Sequence, residues 1–405
     1  MNPPTPELLA RARAAANAVD EAALTQLASK LVRIDTQVPV PGELPAVEFL
    51  ERYLEQHGFV TFRQEVALGR PNLIADFGDG DGGLILEGHT DVAAAGDPSS
   101  WTVPPFEGRI ENGVLHGRGS ADMKAGLAAA IAAAIAVKQT LGHSRLKLRL
   151  AILCDEEGMM LGVKAFVRAG HALGFAGAIV CEPEENELCL CQKGAMRVWA
   201  HFQGRMAHGA MPYAGVNPIP AAAQFVSALT VLEREFSGFK HDLLGDVYIT
   251  PTVITASAGE GQNNVIPALC KVGIDVRTVP GIKHAEIVRG LERVLSAALE
   301  RSPGVMGQLE VFEDRPATET PPDAEVVQAL ALGMELTGQP VRYGGVPGAT
   351  DGTFLHAWAG LPIVTCGPGQ RDIPHQVNEW VSVEDMVICA RAYAAAAVLF
   401  LEREE

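Results

Sequence analysis

The chain has 405 residues, of which 48% are hydrophobic and 20% are charged, a composition typical of a soluble globular protein. Its length exceeds what a single hydrophobic core usually serves, so we expect two domains. The formal net charge of −17 argues against nucleic acid or an anionic membrane as the main partner.

The sequence predicts a cytoplasmic protein. Residues 1–7 are rich in proline and lack an apolar core, so we expect no signal peptide there. The alanine-rich run Ala125–Val137 is shorter than the roughly 20 apolar residues that a membrane helix needs. Seven cysteines in so long a chain do not form a disulfide framework. Cys189 and Cys191 alone provide too few ligands for a structural zinc site.

The first half of the chain alternates between helices and strands. Apolar residues at helical spacing predict a first helix around Leu24–Leu31 and a second helix over Ala46–Gln56. Apolar runs then predict strands, with an alanine-rich helix between them over Lys124–Gln139. The predicted strands are Asn72–Phe77, Leu84–Leu86, Leu146–Ile152 and Ala178–Cys181. This alternation predicts an α/β sheet with helices on both faces.

The middle of the chain has a different order of elements. Its predicted order is β-α-β-β-α-β, the ferredoxin-like pattern. The predicted elements are Met196–Phe202, Pro218–Phe236, Val247–Thr255, Ala268–Val276, Ala285–Leu299 and Gln308–Phe312. Helices are predicted again at Glu325–Leu336 and Val383–Leu401, with a buried strand at Pro362–Cys366 between them. We therefore predict a catalytic domain of residues 1–194 and 314–405, with a smaller domain inserted at residues 195–313.

Carboxylates and histidines follow four of the predicted strands directly. Active sites of α/β sheets lie at the carboxyl ends of strands, so these side chains are expected to meet. The segments are Glu87-Gly-His89-Thr-Asp91, Asp155-Glu156-Glu157, Glu182-Pro183, and the loop from Gly367 to Pro374-His375. Any one of them alone would be weak support for a site, because a loop histidine, an Asx turn or an exposed acidic turn is common.

Two of these segments suggest specific chemistry. Glu156 and Glu157 are adjacent at the end of a buried strand, where their charges repel unless a cation or a proton compensates. Asp91 is placed to orient His89 through the second ring nitrogen. Asp122 lies in the segment Gly117-Arg-Gly-Ser-Ala-Asp-Met-Lys124, just before a helix, where an N-cap is the simpler interpretation.

Taken together, histidines and carboxylates without cysteine favour Zn²⁺, with Co²⁺ or Mn²⁺ as alternatives. A carboxylate-rich site with one shared aspartate supports two metal ions that activate a common water.

As a set, these motifs resemble the family of acetylornithine deacetylase, succinyl-diaminopimelate desuccinylase and carboxypeptidase G. The resemblance also includes Trp101 through Pro105-Phe106 and covers nearly the whole chain in order. It implies a zinc-peptidase-like catalytic domain with an inserted ferredoxin-like domain that serves as a lid and as the dimer interface. The sequence departs from the family's pattern at Met159-Met160 and at Gly352.

The resemblance also implies a role for each residue of the metal site. Asp122 would bridge two metals; His89 and Glu182 would complete one site, and Glu157 and His375 the other. Glu156 would act as general base and then as general acid, and Asp91 would brace His89. The peptide bond between Asp122 and Met123 is expected to be cis.

In the inserted domain, Ala207-His208-Gly-Ala resembles the segment that carries the family's lid histidine. His208 would then reach the active site of the partner subunit and stabilise the oxyanion. Asn263 and Arg277 resemble residues that bind the substrate carboxylate, and the planar fork of arginine suits that task. Gly367 is expected to line the same substrate site.

These features predict a metal-dependent hydrolase of the amide bond of an N-acyl amino acid, which works as a homodimer. Two alternatives remain open at this point. A carboxypeptidase or dipeptidase would use the same residues, and a metal-binding protein without catalysis would have no need of Glu156. A related carbamoylase would carry a different motif around Asp122.

Overall fold

The computed structural model describes residues 3–38, 42–256 and 262–403. It divides into two units, of which unit 1 comprises Met1–Leu190, Thr320–Val346 and Thr350–Glu405. Unit 2 comprises Cys191–Glu319 and Pro347–Ala349. This division of contacts falls a few residues away from the boundaries at 194/195 and 313/314, which remain a prediction of the functional domains.

The described part of the chain contains ten α-helices of six residues or more. They are α1 (Pro6–Asn17), α2 (Glu21–Val32), α3 (Leu44–Gln56), α4 (Ala125–Leu141), α5 (Leu161–Arg168), α6 (Ile219–Glu235), α7 (His284–Glu300), α8 (Glu325–Leu336), α9 (Gly352–Ala357) and α10 (Val383–Leu401).

The strands are numbered in the same way along the described residues. They are β1 (Val60–Ala67), β2 (Arg70–Phe77), β3 (Gly83–His89), β4 (Arg109–Glu111), β5 (Val114–His116), β6 (Lys147–Leu153), β7 (Phe175–Val180), β8 (Leu188–Gln192), β9 (Gly194–Gln203), β10 (Ala207–His208), β11 (Tyr248–Ala256), β12 (Val265–Ile266), β13 (Leu269–Thr278), β14 (Met306–Arg315), β15 (Thr318–Glu319), β16 (Tyr343–Val346), β17 (Ile363–Thr365) and β18 (Trp380–Ser382).

The main sheet of unit 1 is mixed, with both parallel and antiparallel pairs. Its order is β1-β2-β6-β3-β7-β17-β8-β15, and β16 also pairs with β8. Strand β3 runs parallel to both of its neighbours, β6 and β7, and β17 runs parallel to β7. Strand β2 pairs antiparallel with β1 on one side and with β6 on the other. Four adjacent parallel strands therefore end at the same edge of the sheet.

Helices cover both faces of this sheet. Successive residues of a strand point to opposite faces, so neighbours in one strand contribute to different cores. Leu84 and Leu86 of β3 belong to the core formed with α1, α4, α8 and α10. Ile85 belongs instead to a second core, to which Phe166 of α5 and Phe354 of α9 also contribute. The predicted two-sided α/β architecture is confirmed.

Helix α4 lies inside the first core. With the turn before it, the segment Ser120–Leu141 is long and apolar enough to cross a membrane. The alanine-rich run Ala125–Val137 is only part of this segment, and it is the longer segment that reaches the necessary length. Its most apolar window is nevertheless 89% buried within the protein, which is how the core helix of a globular domain is placed.

Unit 2 is built on a four-stranded antiparallel sheet of order β11-β13-β9-β14. Helices α6 and α7 pack on one face of it; Phe225 and Leu291 are fully buried against Val198 and Val272 of the sheet. The chain order β9-α6-β11-β13-α7-β14 is the predicted ferredoxin-like order.

Two elements near the N-terminus escaped the sequence analysis. Helix α1 precedes the helix predicted around Leu24–Leu31. It begins with Pro6, and the side chain of Thr5 accepts a hydrogen bond from the N–H of Leu8. Strand β1 forms a hairpin with β2. It lies at the edge of the main sheet, where Val60 and Phe62 are exposed, so it lacks a buried apolar run.

Candidate metal centre

Apart from Asp122, which lies in the turn before α4, the predicted metal ligands and Glu156 follow the carboxyl ends of the four parallel strands. Strand β3 ends at His89, and β6 leads into Asp155-Glu156-Glu157. Strand β7 leads into Glu182, and β17 leads into the loop that carries His375. Because these strands are neighbours in the sheet, their ends bring together side chains that are far apart in sequence.

One group of candidate ligands is formed by His89, Asp122 and Glu182. One ligand atom from each residue lies within 4.8 Å of the others. The Nε2 atom of His89 is 3.2 Å from Oδ1 of Asp122 and 3.6 Å from Oε1 of Glu182. The His89 side chain is completely buried, so this group lies at the inner side of the site.

A second group is formed by Asp122, Glu157 and His375, again within 4.8 Å of one another. The Nε2 atom of His375 is 2.9 Å from Oε1 of Glu157 and 3.4 Å from Oδ2 of Asp122. Each carboxylate oxygen of Asp122 thus faces a different histidine. The His375 side chain is 56% exposed, so this group is open to solvent.

The electrostatics of the site fit a cation. Burial raises the pKa of Glu182 well above its usual range, and the charge of Asp122 raises it further. Hydrogen bonds to Asp122 and Glu157 raise the pKa of His375 to about 10. Burial opposes ionisation of Asp122, but hydrogen bonds from His375 and His89 outweigh it and keep its pKa well below its usual range. Without a bound cation, the negative charges of these carboxylates are balanced by protons on the site residues. Divalent cations would take the place of those protons.

Two histidines and three carboxylates are a donor set that suits Zn²⁺, Co²⁺ and Mn²⁺. The residues present therefore fit two divalent metals that share Asp122.

Glu156 lies beside these groups and is 9% exposed. Burial raises the pKa of its carboxyl well above the usual range; His89 opposes this, and the charges of Asp351, Glu157 and Asp122 add to it. A carboxyl whose pKa is raised above its usual range holds a proton more readily, which suits a group that accepts a proton and later passes it on.

Asp91 contacts both the histidine and the Glu156-Glu157 pair, but not in the way that was expected. The Nδ1 atom of His89 is 2.9 Å from the backbone carbonyl of Asp91, while the nearer carboxylate oxygen is 3.5 Å away. The Asp91 carboxylate instead accepts hydrogen bonds from the N–H groups of Glu156 and Glu157, at 3.1 and 3.0 Å. One residue thereby fixes a candidate ligand and the candidate base together.

The turn that carries Asp122 is held by residues that the sequence analysis missed. The buried carboxylate of Glu379 accepts hydrogen bonds from the N–H groups of Gly119, Ala121 and Asp122 at 2.9–3.1 Å. Arg118 donates to the same carboxylate at 2.5 Å. Arg118 also donates to the backbone carbonyl of His375 at 3.2 Å, which links the two ligand loops.

Asp122 does not cap helix α4, so the simpler interpretation of this residue is wrong. Helix α4 begins at Ala125 after Lys124, and within the described part of the chain no side chain caps it. The peptide bond between Asp122 and Met123 is cis, as expected.

Two glycines allow close backbone approach behind Glu182. A Cβ atom on Gly126 would lie 1.9 Å from the carbonyl oxygen of Cys181, and one on Gly367 would lie 2.4 Å from that of Glu182. Gly367 also accepts hydrogen bonds from the N–H groups of Glu184 and Asn186, both at 3.1 Å. These contacts give Gly367 a structural task, whereas its contact with substrate remains a prediction.

Three predicted site residues belong to unit 2: the catalytic candidate His208 and the substrate-binding candidates Asn263 and Arg277. His208, at the end of β10, is exposed, and its Nδ1 atom accepts a hydrogen bond from the N–H of Ala210. Asn263 lies in an exposed turn. Arg277 lies on β13, and its Nε atom donates to Asp275 at 2.7 Å.

Lys193, which the sequence analysis missed, lies within electrostatic reach of Arg277. Its ammonium donates to the carbonyl of Asp246 at 2.7 Å. Burial lowers the pKa of Lys193; Asp246 opposes this, and the Arg277 charge lowers it further.

All seven cysteines are free and buried. The described residues that could hold a metal do not include Cys189 or Cys191.

Comparison with known proteins identifies the family. The sequence profile described as "Peptidase family M20/M25/M40" matches residues 85–398. The chain belongs to this family. Among relatives, succinyl-diaminopimelate desuccinylase of Caulobacter vibrioides is 31% identical over 91% of this chain and 94% of its own length. Acetylornithine deacetylase of Myxococcus xanthus is 30% identical over 93% of this chain and 97% of its own length.

A solved structure described as a dinuclear metal-binding peptidase of the M20 family, from Bacillus subtilis, superposes with a TM-score of 0.71 at 18% identity. It covers 94% of this chain and 98% of its own, and it supports the fold. Membership of the family confirms the resemblance that the motifs carry. The protein is therefore a hydrolase of amide or peptide bonds.

Proposed function

We propose that this protein hydrolyses the amide bond of an N-acyl amino acid, with two divalent metals bound by the two ligand groups. The observation that carries the proposal is the sharing of Asp122 between the two groups, with the buried Glu156 beside them. The similar relatives named as a desuccinylase and a deacetylase favour the N-acyl amino acid as the substrate class.

His89, Asp122 and Glu182 would hold one metal, and Asp122, Glu157 and His375 the other. When bound, divalent cations supply Lewis acidity, which polarises a carbonyl and makes a water easier to deprotonate. Zinc suits the two imidazoles and three carboxylates, and cobalt or manganese would use the same donors. The superposed Bacillus subtilis peptidase is itself described as dinuclear, which supports a count of two.

Glu156 would move the proton in this reaction. As the general base, it accepts a proton from the attacking water, and as the general acid it passes that proton to the nitrogen of the leaving amine. Its buried position supports both steps, because its pKa is raised from the usual carboxyl range. Asp91 would keep Glu156 in place through the backbone N–H.

Residues of unit 2 would recognise the substrate. Arg277 offers a planar fork of donors for a carboxylate, and Lys193 adds a second positive charge nearby. Asn263 would donate a further hydrogen bond, and His208 would stabilise the oxyanion in the active site of a partner subunit. Two cations on one unit favour a substrate that carries at least one carboxylate, which every N-acyl amino acid does.

A homodimer follows from the proposed role of His208. Among the residues that the structure describes, strand β11 pairs with β13 alone, so it is an edge strand of the sheet of unit 2. Its Tyr248, Val253 and Ile254 are exposed, and an uncovered apolar edge is a common interface between copies of a chain. Light scattering is expected to give the mass of a dimer, and a fully active monomer would contradict the role of His208.

We also propose that the protein works in the cytoplasm, where thiols stay reduced. The seven free, buried cysteines support this compartment.

A peptidase that releases a C-terminal amino acid is the second candidate, since peptidases share this fold. Hydrolysis of N-acetyl and N-succinyl amino acids and of dipeptides, assayed with added Zn²⁺ or Co²⁺, distinguishes the two. We expect kcat/KM to be highest for one of the N-acyl amino acids. Higher values for the dipeptides would favour the peptidase.

The matched control is Glu156→Ala, which should bind metal but not hydrolyse any substrate. Retained turnover in this variant would refute the role of Glu156.

A further inference from the structure

Four consecutive backbone N–H groups, those of residues 154–157, are held by side chains from other parts of the chain. The amide oxygen of Asn72 accepts the first, at 3.1 Å, and Oε1 of Glu43 accepts the second, also at 3.1 Å. The Asp91 carboxylate accepts the other two. The segment that carries Glu156 and Glu157 is therefore positioned by side chains and not by a strand ladder.

Glu43 is the buried member of an ion-pair network behind this segment. Its side chain is completely buried, and its two oxygens accept hydrogen bonds from Nε and Nη2 of Arg70, at 2.8 and 2.5 Å. The remaining Nη1 of Arg70 lies 2.5 Å from Oδ1 of Asp155. The Arg70 guanidinium thus links Glu43, which directly precedes α3, to Asp155, which directly precedes Glu156.

Asp155 uses its second oxygen to fix the following turn. Its Oδ2 accepts hydrogen bonds from the N–H groups of Met159 and Leu161, at 3.0 and 3.2 Å. The backbone of Asp155 has a φ of 65°, a left-handed conformation that a non-glycine residue adopts only where its surroundings enforce it. The chain direction at Glu156 is therefore set by the contacts of Asp155.

We propose that Glu43 and Arg70 are positioning residues that aim the carboxyl of Glu156 at the reacting water. The inference rests on the proposed role of Glu156 as the base. Neither residue belongs to the two candidate ligand groups.

The physical reason is the burial of charge. The Arg70 guanidinium donates to both oxygens of the buried Glu43 side chain, and a hydrogen bond to a charge-paired carboxylate is stronger than one to a neutral acceptor, which helps to fix the N–H of Asp155. Loss of Arg70 leaves the buried Glu43 without its counter-charge, and loss of Glu43 leaves Arg70 paired with Asp155 but no longer tied to the residue before α3. In either case the segment relieves the imbalance by moving. A displacement of about 1 Å in a catalytic group can lower a rate by about 100-fold.

The test uses Glu43→Gln and Arg70→Gln in the full-length, metal-loaded protein, with the best substrate of the N-acyl panel. Glutamine at position 43 keeps an oxygen for Asp155 but removes the charge that Arg70 faces. We expect kcat to fall by about 10- to 100-fold in both variants. We expect KM to change by less than about twofold and the bound metal to stay the same. The acidic limb of the kcat–pH profile should move by at least about 0.5 unit, because Glu156 has a new environment.

A matched control separates positioning from general stability. Arg149 and Asp76 form a comparable ion pair at 2.6 Å between β6 and β2, with side chains 13% and 21% exposed. Asp76→Asn should lower the melting temperature and leave kcat and its pH profile unchanged. Arg70→Lys, which retains the charge, is expected to restore part of kcat and serves in place of Arg70→Gln if the latter does not fold.

Wild-type kcat and an unmoved pH profile in Glu43→Gln and the arginine variant would overturn the inference, and so would an equal loss of kcat in Asp76→Asn. The Glu156→Ala control distinguishes this failure from failure of the proposed function. If Glu156→Ala is inactive while the Glu43 and Arg70 variants behave as wild type, only the positioning role falls. If Glu156→Ala remains active, the proposed base itself is wrong.

Discussion

Replacing Glu379 with alanine should weaken both the fold of unit 1 and its affinity for metal. Glu379 is 1% exposed, and its carboxylate accepts three backbone N–H groups of the Asp122 turn and the guanidinium of Arg118. Removing one partner of a buried ion pair costs about 3–5 kcal/mol, and each N–H left unsatisfied costs about 1–3 kcal/mol. Since water can enter the space that the side chain leaves, we expect the free energy of unfolding to fall by about 5 kcal/mol.

The same substitution frees the turn that presents Asp122 to both histidines. Removal of a group that orients a metal ligand typically lowers metal affinity by about 10- to 100-fold, and we expect a loss of that size. Urea unfolding followed by tryptophan fluorescence measures the first effect, on protein treated with chelator. Competition with a chromogenic chelator measures the second effect, on the folded protein.

An exposed ion pair of unit 1 provides the control. Glu402 pairs with Arg11 at 2.7 Å, with side chains 22% and 47% exposed. Glu402→Ala should change the free energy of unfolding by less than about 1 kcal/mol and leave metal affinity unchanged. If Glu379→Ala lowers stability no more than Glu402→Ala, or if it binds metal as tightly as wild type, the reasoning from burial and hydrogen bonding is refuted.

Three further predictions concern the site and its supports. Metal binding should release protons, and metal affinity should increase as pH rises from about 6 to 9, because the pKa of His375 is raised to about 10 and its ring must lose a proton to bind a cation. Calorimetry in buffers of different ionisation enthalpy measures the proton release. A metal affinity that does not depend on pH would contradict the prediction. Gly126→Ala should destabilise the protein by about 2 kcal/mol or more, since the new Cβ would lie 1.9 Å from the carbonyl oxygen of Cys181. The control in thermal melts is Gly348→Ala, since a Cβ at Gly348 would meet no described atom within 4 Å. Equal melting temperatures of the two variants would refute the clash. Asp91→Asn should lower kcat by about 10-fold or more, because the amide no longer offers two acceptor oxygens to Glu156 and its neighbour; steady-state kinetics at full metal content checks this, and a wild-type kcat would argue against it.

The sequence was informative wherever a pattern is local. Helices α8 and α10 begin and end at the predicted residues, since their apolar spacing and flanking residues are enough to define them. The rule that catalytic side chains follow parallel strands predicts His89, Glu157 and Glu182 at one edge of the sheet without knowledge of any tertiary contact.

Residues whose role arises only from tertiary contacts could not be predicted. Glu379 lies 257 positions from Asp122 in the sequence, and nothing near it suggests that it holds that turn. Arg70 and Glu43 appear as an ordinary basic and an ordinary acidic residue until β2 and α3 bring them beside Asp155. Helix α1 was missed because its alanines and arginines show little apolar periodicity, although Thr5-Pro6 is a recognisable helix start.

The different exposure of the two histidines has a consequence for how metal content should be measured. A cation on the side of His375 would exchange with the solvent more quickly than one on the side of His89, which is enclosed. Because Asp122 serves both sides, departure of the outer cation would also change the charge felt by the inner one. Preparations dialysed for different times are therefore expected to differ in the number of metal ions per chain, even when their sequence, fold and purity are the same. A ratio near one metal per chain would then reflect how long the sample was dialysed as much as how many metals the site can bind.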